Sequence, residues 1–367
     1  MKPMNSIPWA STSLWGNEER YVVDALRSTW VSGGKYVERF EDAFSAFART
    51  PHVVSVANGT AALHLAYIAL EIGPGDEIIV PGFAFMAAAN VALLTGAKPV
   101  FAEVDPKTWC MTAATAAACL TPRTRAIVPV HTYGNVCDMH DINRLGREAG
   151  VTVIEDAAEA IGSRYKGQHA GTMAPMGVFS FHATKTITTG EGGAVVTDAP
   201  DLAARLRLFR SHGMASRRYW HEVAGHNFRL TNLQAAIGCG QLEHIEQIIS
   251  ERKRVYDAYR GLLAGAKGLT MQDMTAGVEP VVWAIALKLD PAVFPQGRDA
   301  VMHQMSAKGI ETRPGFYPAG ALHHLYGPQD LPVCDEVGGA TLVLPSSPII
   351  TTAEIEYVCG TLGALAC

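Results

Sequence analysis

The first part of the chain alternates between short apolar runs and longer stretches of helical spacing. Seven mostly apolar runs, bounded by turn residues, cover 53–57, 78–80, 99–102, 126–130, 151–154, 177–181 and 194–197. Such runs predict strands buried on both faces, as in a parallel sheet. The segments between them, such as 60–72 and 139–148, have the spacing of helices. We therefore predict an α/β fold with a mainly parallel seven-stranded sheet flanked by helices.

The pattern changes near residue 250. Residues 231–234 read Thr-Asn-Leu-Gln, a capping-box sequence that predicts the start of a long helix. The Arg-Lys-Arg triplet at 252–254 is expected on the solvated side of that helix. Beyond it, glycine, proline and loop become more frequent. Because 367 residues exceed what one core usually fills, we predict a large domain over 1–250 and a smaller C-terminal α+β domain over 251–367.

Composition and charge restrict the partners. The net charge is -5 and no basic run is present, which argues against nucleic acid or an anionic membrane surface. No apolar stretch has the length of a signal sequence or of the ~20 residues in a membrane span. The seven cysteines are scattered and the histidines lack metal-ligand spacing. The expectation is a soluble cytoplasmic protein without a metal site.

One lysine is placed for cofactor chemistry. Lys185 lies between the apolar run 177–181 and the glycine-rich stretch 190–193. Pyridoxal phosphate needs an amine for its aldehyde, a carboxylate for its ring nitrogen and a helix N-terminus for its phosphate. Asp156 follows an apolar run, and Thr60 follows an Asn-Gly turn at a predicted helix start. The three features together predict this cofactor, with Lys185 as its Schiff-base lysine.

Each feature also has a purely structural explanation. A lone lysine is usually solvated, an aspartate after a strand often caps a helix, and many Asn-Gly turns bind nothing. Ser180 is placed to add a hydroxyl to the phosphate site, and Phe85 is either a ring-stacking residue or one more core aromatic. The joint occurrence favours the cofactor site. A dinucleotide-binding dehydrogenase lacks its Gly-x-Gly-x-x-Gly fingerprint here.

The chain resembles the DegT/StrS sugar-nucleotide aminotransferases, which are pyridoxal-phosphate enzymes of the aspartate-aminotransferase fold, fold type I. The resemblance runs over nearly the whole chain. It is carried by Thr29-Trp30-Val31-Ser32-Gly33-Gly34, Asn58-Gly59-Thr60-Ala61-Ala62-Leu63, Pro129-Val130-His131-Thr132-Tyr133-Gly134, Ile154-Glu155-Asp156-Ala157-Ala158, the Lys185 segment and Asn227-Phe228-Arg229-Leu230-Thr231-Asn232.

The resemblance implies a set of cofactor contacts. The lysine holds the cofactor, the aspartate pairs with its ring nitrogen, an aromatic residue stacks on the ring and the remaining contacts hold the phosphate or lie near the ring oxygen. In this sequence they are Lys185, Asp156, Phe85, Thr60, Ala61, Ser180, Asn227 and Glu159. Asn227 is implied to reach the phosphate of the neighbouring subunit, so a homodimer with shared sites is expected. Pairing of two dimers into a tetramer is left open.

Several segments resemble one branch of the family, the GDP-perosamine synthases, which aminate C4 of GDP-4-keto-6-deoxymannose. These are 155–160, 186–193, 218–220 and 311–318. The departure is His182-Ala183-Thr184, a form commoner in branches that handle other ketosugars. A UDP- or dTDP-linked 3- or 4-ketosugar, or a cyclitol, remains an alternative acceptor. Two other classes of protein on this scaffold are disfavoured. A sugar dehydratase has histidine in place of the lysine, and a regulatory protein has no reason to keep the lysine, the aspartate and the phosphate site together.

The expected reaction takes an amino group from L-glutamate and leaves the cofactor as pyridoxamine phosphate before the ketosugar is aminated. Arginine suits carboxylate or phosphate oxygens through its planar fork of donors. The candidates for the glutamate or sugar-nucleotide site are Trp30, Ser32, Lys35, Tyr219, Arg313 and Tyr317. Each also has a purely structural alternative.

Overall fold

The computed structural model describes residues 6–367 and contains three sheets. The largest has seven strands in the order β1-β9-β8-β5-β4-β2-β3, and the other two have the orders β10-β12-β14-β13 and β11-β6-β7. The strands are β1 His52–Val56, β2 Glu77–Pro81, β3 Lys98–Ala102, β4 Thr124–Ile127, β5 Thr152–Asp156, β6 Arg164–Tyr165, β7 Gln168–His169, β8 Met176–Ser180, β9 Gly193–Thr197, β10 Leu269–Met271, β11 Val278–Glu279, β12 Ile285–Leu289, β13 Arg313–Pro314 and β14 Thr341–Leu344.

Helices surround these sheets. The α-helices are α1 Glu18–Arg27, α2 Lys35–Ala48, α3 Gly59–Ala69, α4 Ala87–Leu94, α5 Ala113–Ala117, α6 Met139–Ala149, α7 Pro200–Arg210, α8 Asn232–Glu243, α9 Ile245–Leu263, α10 Gly297–Ala307, α11 His323–Tyr326, α12 Pro332–Ala340 and α13 Thr352–Gly363. Two short 3-10 helices cover Thr132–Gly134 and Ala319–Leu322. The capping box predicted at the start of α8 is confirmed, because Thr231 and Gln234 bond reciprocally there.

The seven predicted strands are all present and form the large sheet. Four of its six pairings are parallel, and β9 is antiparallel to both of its neighbours, β1 and β8. Apolar side chains on both faces of its strands are buried in two separate clusters, one on each side. This burial explains why the strands read as nearly continuous apolar runs. The predicted α/β fold with a mainly parallel sheet is confirmed.

The four-stranded sheet is built from the C-terminal part of the chain and has its own core. That core contains α9, α10 and α13 residues together with the inner faces of β12 and β14. The N-terminal segment joins it, because Ile7 pairs with Ile310. The predicted boundary at residue 250 falls inside α9, so the division into 1–250 and 251–367 stays a prediction.

Two further sequence expectations concern absences. Within residues 6–367, no helix combines the length and the apolar character that crossing a membrane requires. The same part of the chain contains no group of three or more His, Cys, Asp or Glu side chains arranged to hold a metal ion. All seven cysteines are free thiols.

Candidate active site

Lys185 lies in the loop between β8 and β9, at the carboxyl edge of the large sheet. The loop is closed at its base, where the Phe181 N–H donates to the Gly192 carbonyl at 2.8 Å. A turn at the top carries the lysine, whose N–H donates to the His182 carbonyl at 2.9 Å. The Lys185 side chain is only 12% exposed, and this burial lowers the pKa of its amine below the ordinary value. A neutral amine is the form that attacks an aldehyde.

Two buried carboxyl groups face this lysine. Asp156 is the last residue of β5, and its Oδ1 accepts the Ala158 N–H at 3.1 Å. Glu159 follows in the next turn, with Oε1 3.7 Å from Lys185 Nζ. Burial raises the pKa of both carboxyl groups, and the charge of Lys185 opposes that rise. The site therefore holds two acids and one amine in a low-dielectric environment.

Glu159 is held by a strained residue. Tyr133 has φ 60°, in the left-handed region, and its N–H donates to Glu159 Oε2 at 2.7 Å. A bulky non-glycine residue in this conformation is uncommon and its cost must be offset by its surroundings. Glu155 directly precedes Asp156, and its side chain points to the other face of β5, as the strand alternation requires. There it accepts N–H groups from the 171–174 turn and contacts His131 Nε2 at 3.0 Å.

The N-terminus of α3 lies at the same edge, next to the end of β8. Asn58 caps it, because its Oδ1 accepts the Ala61 N–H at 2.8 Å. The N–H of Thr60 has no acceptor among residues 6–367. A Cβ on Gly59 would lie 2.9 Å from Cβ of Ser180, so glycine is required for this approach. Thr60 and the Ser180 hydroxyl thus lie beside a helix N-terminus with an unpaired donor, which is an anion-binding arrangement.

A row of aromatic rings forms one wall of the site. Phe85 is 60% exposed and meets Phe316 edge-on, with ring centroids 6.0 Å apart. Phe316 stacks on Tyr133 at 5.0 Å, and Tyr133 stacks on Trp283 at 6.4 Å. The Trp283 ring centroid lies 3.5 Å from Lys185 Nζ. Phe85 therefore stands at the open end of a row whose buried end is the lysine.

Arg252 corrects a sequence expectation. The triplet at 252–254 was expected on the solvated side of its helix, and Lys253 is exposed. Arg252 is instead buried, with only 5% of its surface exposed, and donates to the carbonyls of Lys185 and Trp283 at 3.0 and 3.1 Å. Three consecutive helical residues face three directions about 100° apart, so a basic triplet cannot lie wholly on one side.

The candidate substrate residues Trp30 and Ser32 lie on the connection between α1 and α2, and Lys35 is the first residue of α2. The Asn232 side chain donates to the Trp30 carbonyl at 2.7 Å, and its backbone N–H donates to the Ser32 carbonyl at 3.0 Å. Lys35 forms an ion pair with Asp24 at 2.8 Å. Because α8 also bonds to the Lys185 loop through Gln234, this connection is joined to the lysine loop by one helix.

The other candidates lie in other segments of the chain. Tyr219 and Asn227 are exposed in the segment between α7 and α8, and Asn227 Oδ1 accepts from Arg229 Nε at 3.0 Å. Arg313 lies over the Trp9 ring, at 5.6 Å. Tyr317 lines a cleft of about 410 Å³ with Arg298. Among residues 6–367, none of the six substrate candidates bonds to Lys185, Asp156 or Glu159 through a hydrogen bond or ion pair.

Three residues of this site were not predicted from the sequence. Trp283 carried no motif, and Tyr133 lay in a quoted motif without a role. Arg252 was assigned to the surface. The one signal for Tyr133 was its place before Gly134 in a turn after an apolar run. Trp283 gave no local signal, because only the tertiary fold brings it to Lys185.

The seven-stranded α/β sheet and the buried lysine with its two carboxyl groups are those of a pyridoxal-phosphate-dependent aminotransferase. Comparison with known proteins agrees with this class. Residues 13–363 match the DegT/DnrJ/EryC1/StrS aminotransferase family. The chain belongs to this family.

Relatives match the chain over nearly its full length. The chain is 40% identical to the GDP-perosamine synthase of Caulobacter vibrioides, with 99% of each chain covered. The aminotransferase TlmJ from Streptoalloteichus hindustanus superposes with a TM-score of 0.92 at 32% identity, covering 98% of each chain. The sugar aminotransferase Spr1654 from Streptococcus pneumoniae, in its PLP form, gives 0.93 at 26% identity and 98% coverage of each. The predicted family, fold class and enzyme class are confirmed.

Proposed function

We propose that this enzyme transfers the amino group of L-glutamate to GDP-4-keto-6-deoxymannose and so produces GDP-perosamine. The observation that carries the proposed chemistry is the buried amine of Lys185, 3.7 Å from Glu159 and in the field of Asp156. The proposed substrate is supported by the 40% identity to a GDP-perosamine synthase over 99% of the chain.

The residues present suit pyridoxal phosphate. Lys185 would bind its aldehyde, and Asp156 would pair with its ring nitrogen. The Asp156 carboxyl is buried with a raised pKa, so a protonated nitrogen beside it would supply the missing countercharge. The unpaired Thr60 N–H and the Ser180 hydroxyl would hold the phosphate. The adjacent Ala61 N–H points to the same helix end and would share its bond to Asn58 Oδ1 with the phosphate. When bound, the cofactor supplies an electron sink for the carbanion that forms next to the amino group.

The remaining wall would orient the ring. Phe85 stands at the exposed end of the aromatic row and is the proposed stacking residue. Glu159 is the proposed contact beside the ring oxygen, and its position is fixed by the Tyr133 N–H. Neither side chain has to gain or lose a proton for the transfer. Phe85 acts through its position, and Glu159 acts through its position and its charge.

Lys185 is the proposed base and acid of the reaction. Its Nζ takes a proton from the α-carbon of L-glutamate and in the second half-reaction returns one to the carbon that receives the amine. Burial lowers the pKa of the amine and so increases the share of the free base that this step requires. Closure of the 181–192 loop at its base keeps the amine in place during both half-reactions.

A homodimer with shared sites is part of the proposal. Asn227 is exposed, on a segment that also presents the exposed aromatic side chains of Tyr219 and Trp220. Exposed aromatic side chains near a polar side chain suit contact with a second copy. In that dimer, Asn227 would reach the phosphate of the neighbouring site.

A second acceptor class is favoured by one observation. His182, Ala183 and Thr184 precede the lysine, and His182 Nδ1 contacts Thr184 Oγ1 at 3.0 Å. This form resembles branches that act on other ketosugars. A UDP- or dTDP-linked 3- or 4-ketosugar, or a cyclitol, is therefore the alternative acceptor.

The proposal is tested by product analysis. The purified enzyme is incubated with L-glutamate and GDP-4-keto-6-deoxymannose, and the product is identified by mass spectrometry and NMR. Formation of GDP-perosamine with stoichiometric 2-oxoglutarate is the expected result. Amination of only a UDP- or dTDP-linked sugar would reassign the substrate, and no amination of any ketosugar would refute the proposal.

A further inference from the structure

Trp283 connects the Lys185 loop to the C-terminal part of the chain. Its ring lies under the lysine amine, with the centroid 3.5 Å from Nζ. Its indole N–H donates to the Thr184 carbonyl at 2.7 Å, and its backbone N–H donates to the Tyr133 carbonyl at 3.0 Å. Trp9 packs edge-on against the ring, with centroids 5.9 Å apart. Contacts from three separate segments therefore fix this ring against the lysine.

Arg252 joins the same two residues through their backbones. Its Nη2 donates to the Lys185 carbonyl at 3.0 Å and its Nη1 donates to the Trp283 carbonyl at 3.1 Å. Among residues 6–367 no carboxylate forms an ion pair with it, and its Nε has no acceptor. A buried guanidinium without a carboxylate is costly. Burial accordingly lowers the pKa of Arg252 to about 10.

We propose that the Lys185 amine lies against the face of the Trp283 ring whenever the amine is not covalently bonded. Arg252 is the positioning residue that holds this ring in place, because it joins the backbones of Lys185 and Trp283. This inference rests on the proposed function, in which Lys185 leaves the aldehyde carbon of the cofactor and returns to it in each cycle. The face of an indole attracts a cation. The amine therefore stays above the ring and does not swing into solvent.

The charge of Arg252 has a second effect on the same amine. It lies close enough to disfavour the protonated form of Lys185, and it adds to the effect of burial in lowering the pKa of the amine. Position comes from the ring and the backbone bonds, while the free-base form is favoured by the buried positive charge. The ring holds the amine while it is protonated, and the positive charge of Arg252 favours loss of that proton. The nucleophilic free base therefore forms in place, which shortens the search for its reacting partner.

The test directly follows the reaction of the Lys185 amine with the cofactor aldehyde. Full-length protein freed of cofactor is mixed with saturating pyridoxal phosphate, and the rate at which the visible absorbance of the lysine-bound cofactor appears is recorded against pH. The variants are Arg252→Gln, Trp283→Leu and Trp283→Phe. Arg254→Gln is the matched control, because Arg254 lies on the same helix and donates to two carbonyls, Pro348 and Ile350, away from the lysine.

The expected result is a rate about tenfold lower in Arg252→Gln and Trp283→Leu, with the initial non-covalent affinity for pyridoxal phosphate unchanged. Trp283→Phe keeps an aromatic face and should recover most of the rate. In Arg252→Gln the pH midpoint of the rate should also move upward, since a positive charge beside the amine is gone. Arg254→Gln should match the wild type in both rate and midpoint.

Three results would overturn the inference. They are a wild-type rate in Trp283→Leu, an equal slowing in Arg254→Gln, or a slowing explained wholly by lost affinity. If Arg252→Gln does not fold, the comparison of the two Trp283 variants decides alone. Failure of the cofactor role proposed for Lys185 is distinguishable, because the wild-type protein would then develop no visible absorbance with pyridoxal phosphate.

Discussion

The amine nitrogen of Lys185 lies 3.7 Å from Oε1 of Glu159, and both side chains are buried. Burial lowers the pKa of the amine and raises that of the carboxyl, while their mutual attraction opposes both shifts. Burial thus favours the neutral form of each group and their mutual attraction favours the charged forms, so a change at one group alters the protonation of the other. A base that must gain and lose a proton in each cycle benefits from such a balance.

Replacing Glu159 should move this balance in a defined direction. The Glu159→Gln variant keeps an oxygen acceptor for the Tyr133 N–H but has no charge. Since the Glu159 carboxylate raises the pKa of Lys185, its removal should lower that pKa further. The acidic limb of the pH profile for the glutamate half-reaction should shift to lower pH. A shift to higher pH, or an unchanged profile, would contradict the proposed coupling.

The variant Lys185→Ala tests the role of the amine. The substitution leaves Asp156 and the proposed phosphate contacts unchanged, so pyridoxal phosphate should still bind. The absorbance of the lysine-bound cofactor should be absent. Turnover should fall by about a thousandfold or more, because the proposed base and acid are lost. Equilibrium dialysis and a coupled 2-oxoglutarate assay measure the two properties. Substantial residual transamination would mean that another group moves the proton.

Asp156→Asn should lower activity and raise stability at the same time. With no charge to hold the ring nitrogen protonated, the rate should drop by orders of magnitude. Asparagine keeps an oxygen for the Ala158 N–H. A near-normal rate would show that Asp156 is not the ring-nitrogen partner.

The stability effect of Asp156→Asn depends on pH. Burial raises the folded-state pKa of Asp156 above its ordinary 3.8. The penalty is absent below the ordinary pKa, where the carboxyl is protonated in both states, and is complete once pH exceeds the folded-state pKa. The cofactor-free variant should therefore melt above the wild type at about pH 7, and the difference should shrink towards about pH 4. Thermal melts at both pH values measure it, and a constant difference would refute this origin.

Gly59→Ala tests the proposed phosphate site. The added Cβ would lie 2.9 Å from Cβ of Ser180, which cannot swing away, so the α3 N-terminus must shift. Affinity for pyridoxal phosphate should fall about tenfold, measured by fluorescence titration. Gly73→Ala is the control, since its nearest atom would be 3.8 Å away. Equal affinity in both variants would place the phosphate elsewhere.

Arg313→Ala separates the two substrates. Arg313 is half-exposed and forms an ion pair with Glu311, so it is available to an anionic ligand but partly neutralised. The Michaelis constant should rise about tenfold for whichever ligand it touches, with a smaller change in the turnover number. Steady-state kinetics with L-glutamate and the ketosugar varied in turn measure this. Unchanged constants for both would remove Arg313 from the substrate site.

Much of the large sheet could be predicted because the apolar pattern of each strand lies within a short stretch of sequence. Strands buried on both faces must be apolar along their length, and the residues that end them, such as Asp156 and Ser180, necessarily meet at one edge. The capping box at Thr231 likewise depends on residues three positions apart. Lys185 was found because its loop, its strand and its glycines are contiguous in sequence.

The support of that lysine could not be predicted, because it comes from distant parts of the chain. Trp283 donates to Thr184 across 99 positions, and Arg252 reaches Lys185 across 67. No periodic pattern distinguishes an arginine that turns inward from two basic neighbours that do not. These contacts arise only from tertiary packing, which places α9 and the Trp283 segment against the 181–192 loop.

The most direct test of the proposed activity is a pair of half-reactions followed by absorbance. The purified enzyme is converted to its pyridoxamine form with L-glutamate, freed of excess reagents, and mixed separately with GDP-4-keto-6-deoxymannose and with UDP- and dTDP-linked 4-ketosugars. The proposal predicts that the visible absorbance of the lysine-bound cofactor returns with the GDP sugar alone. A normal glutamate half-reaction followed by no return with any of these nucleotide-linked sugars would contradict it.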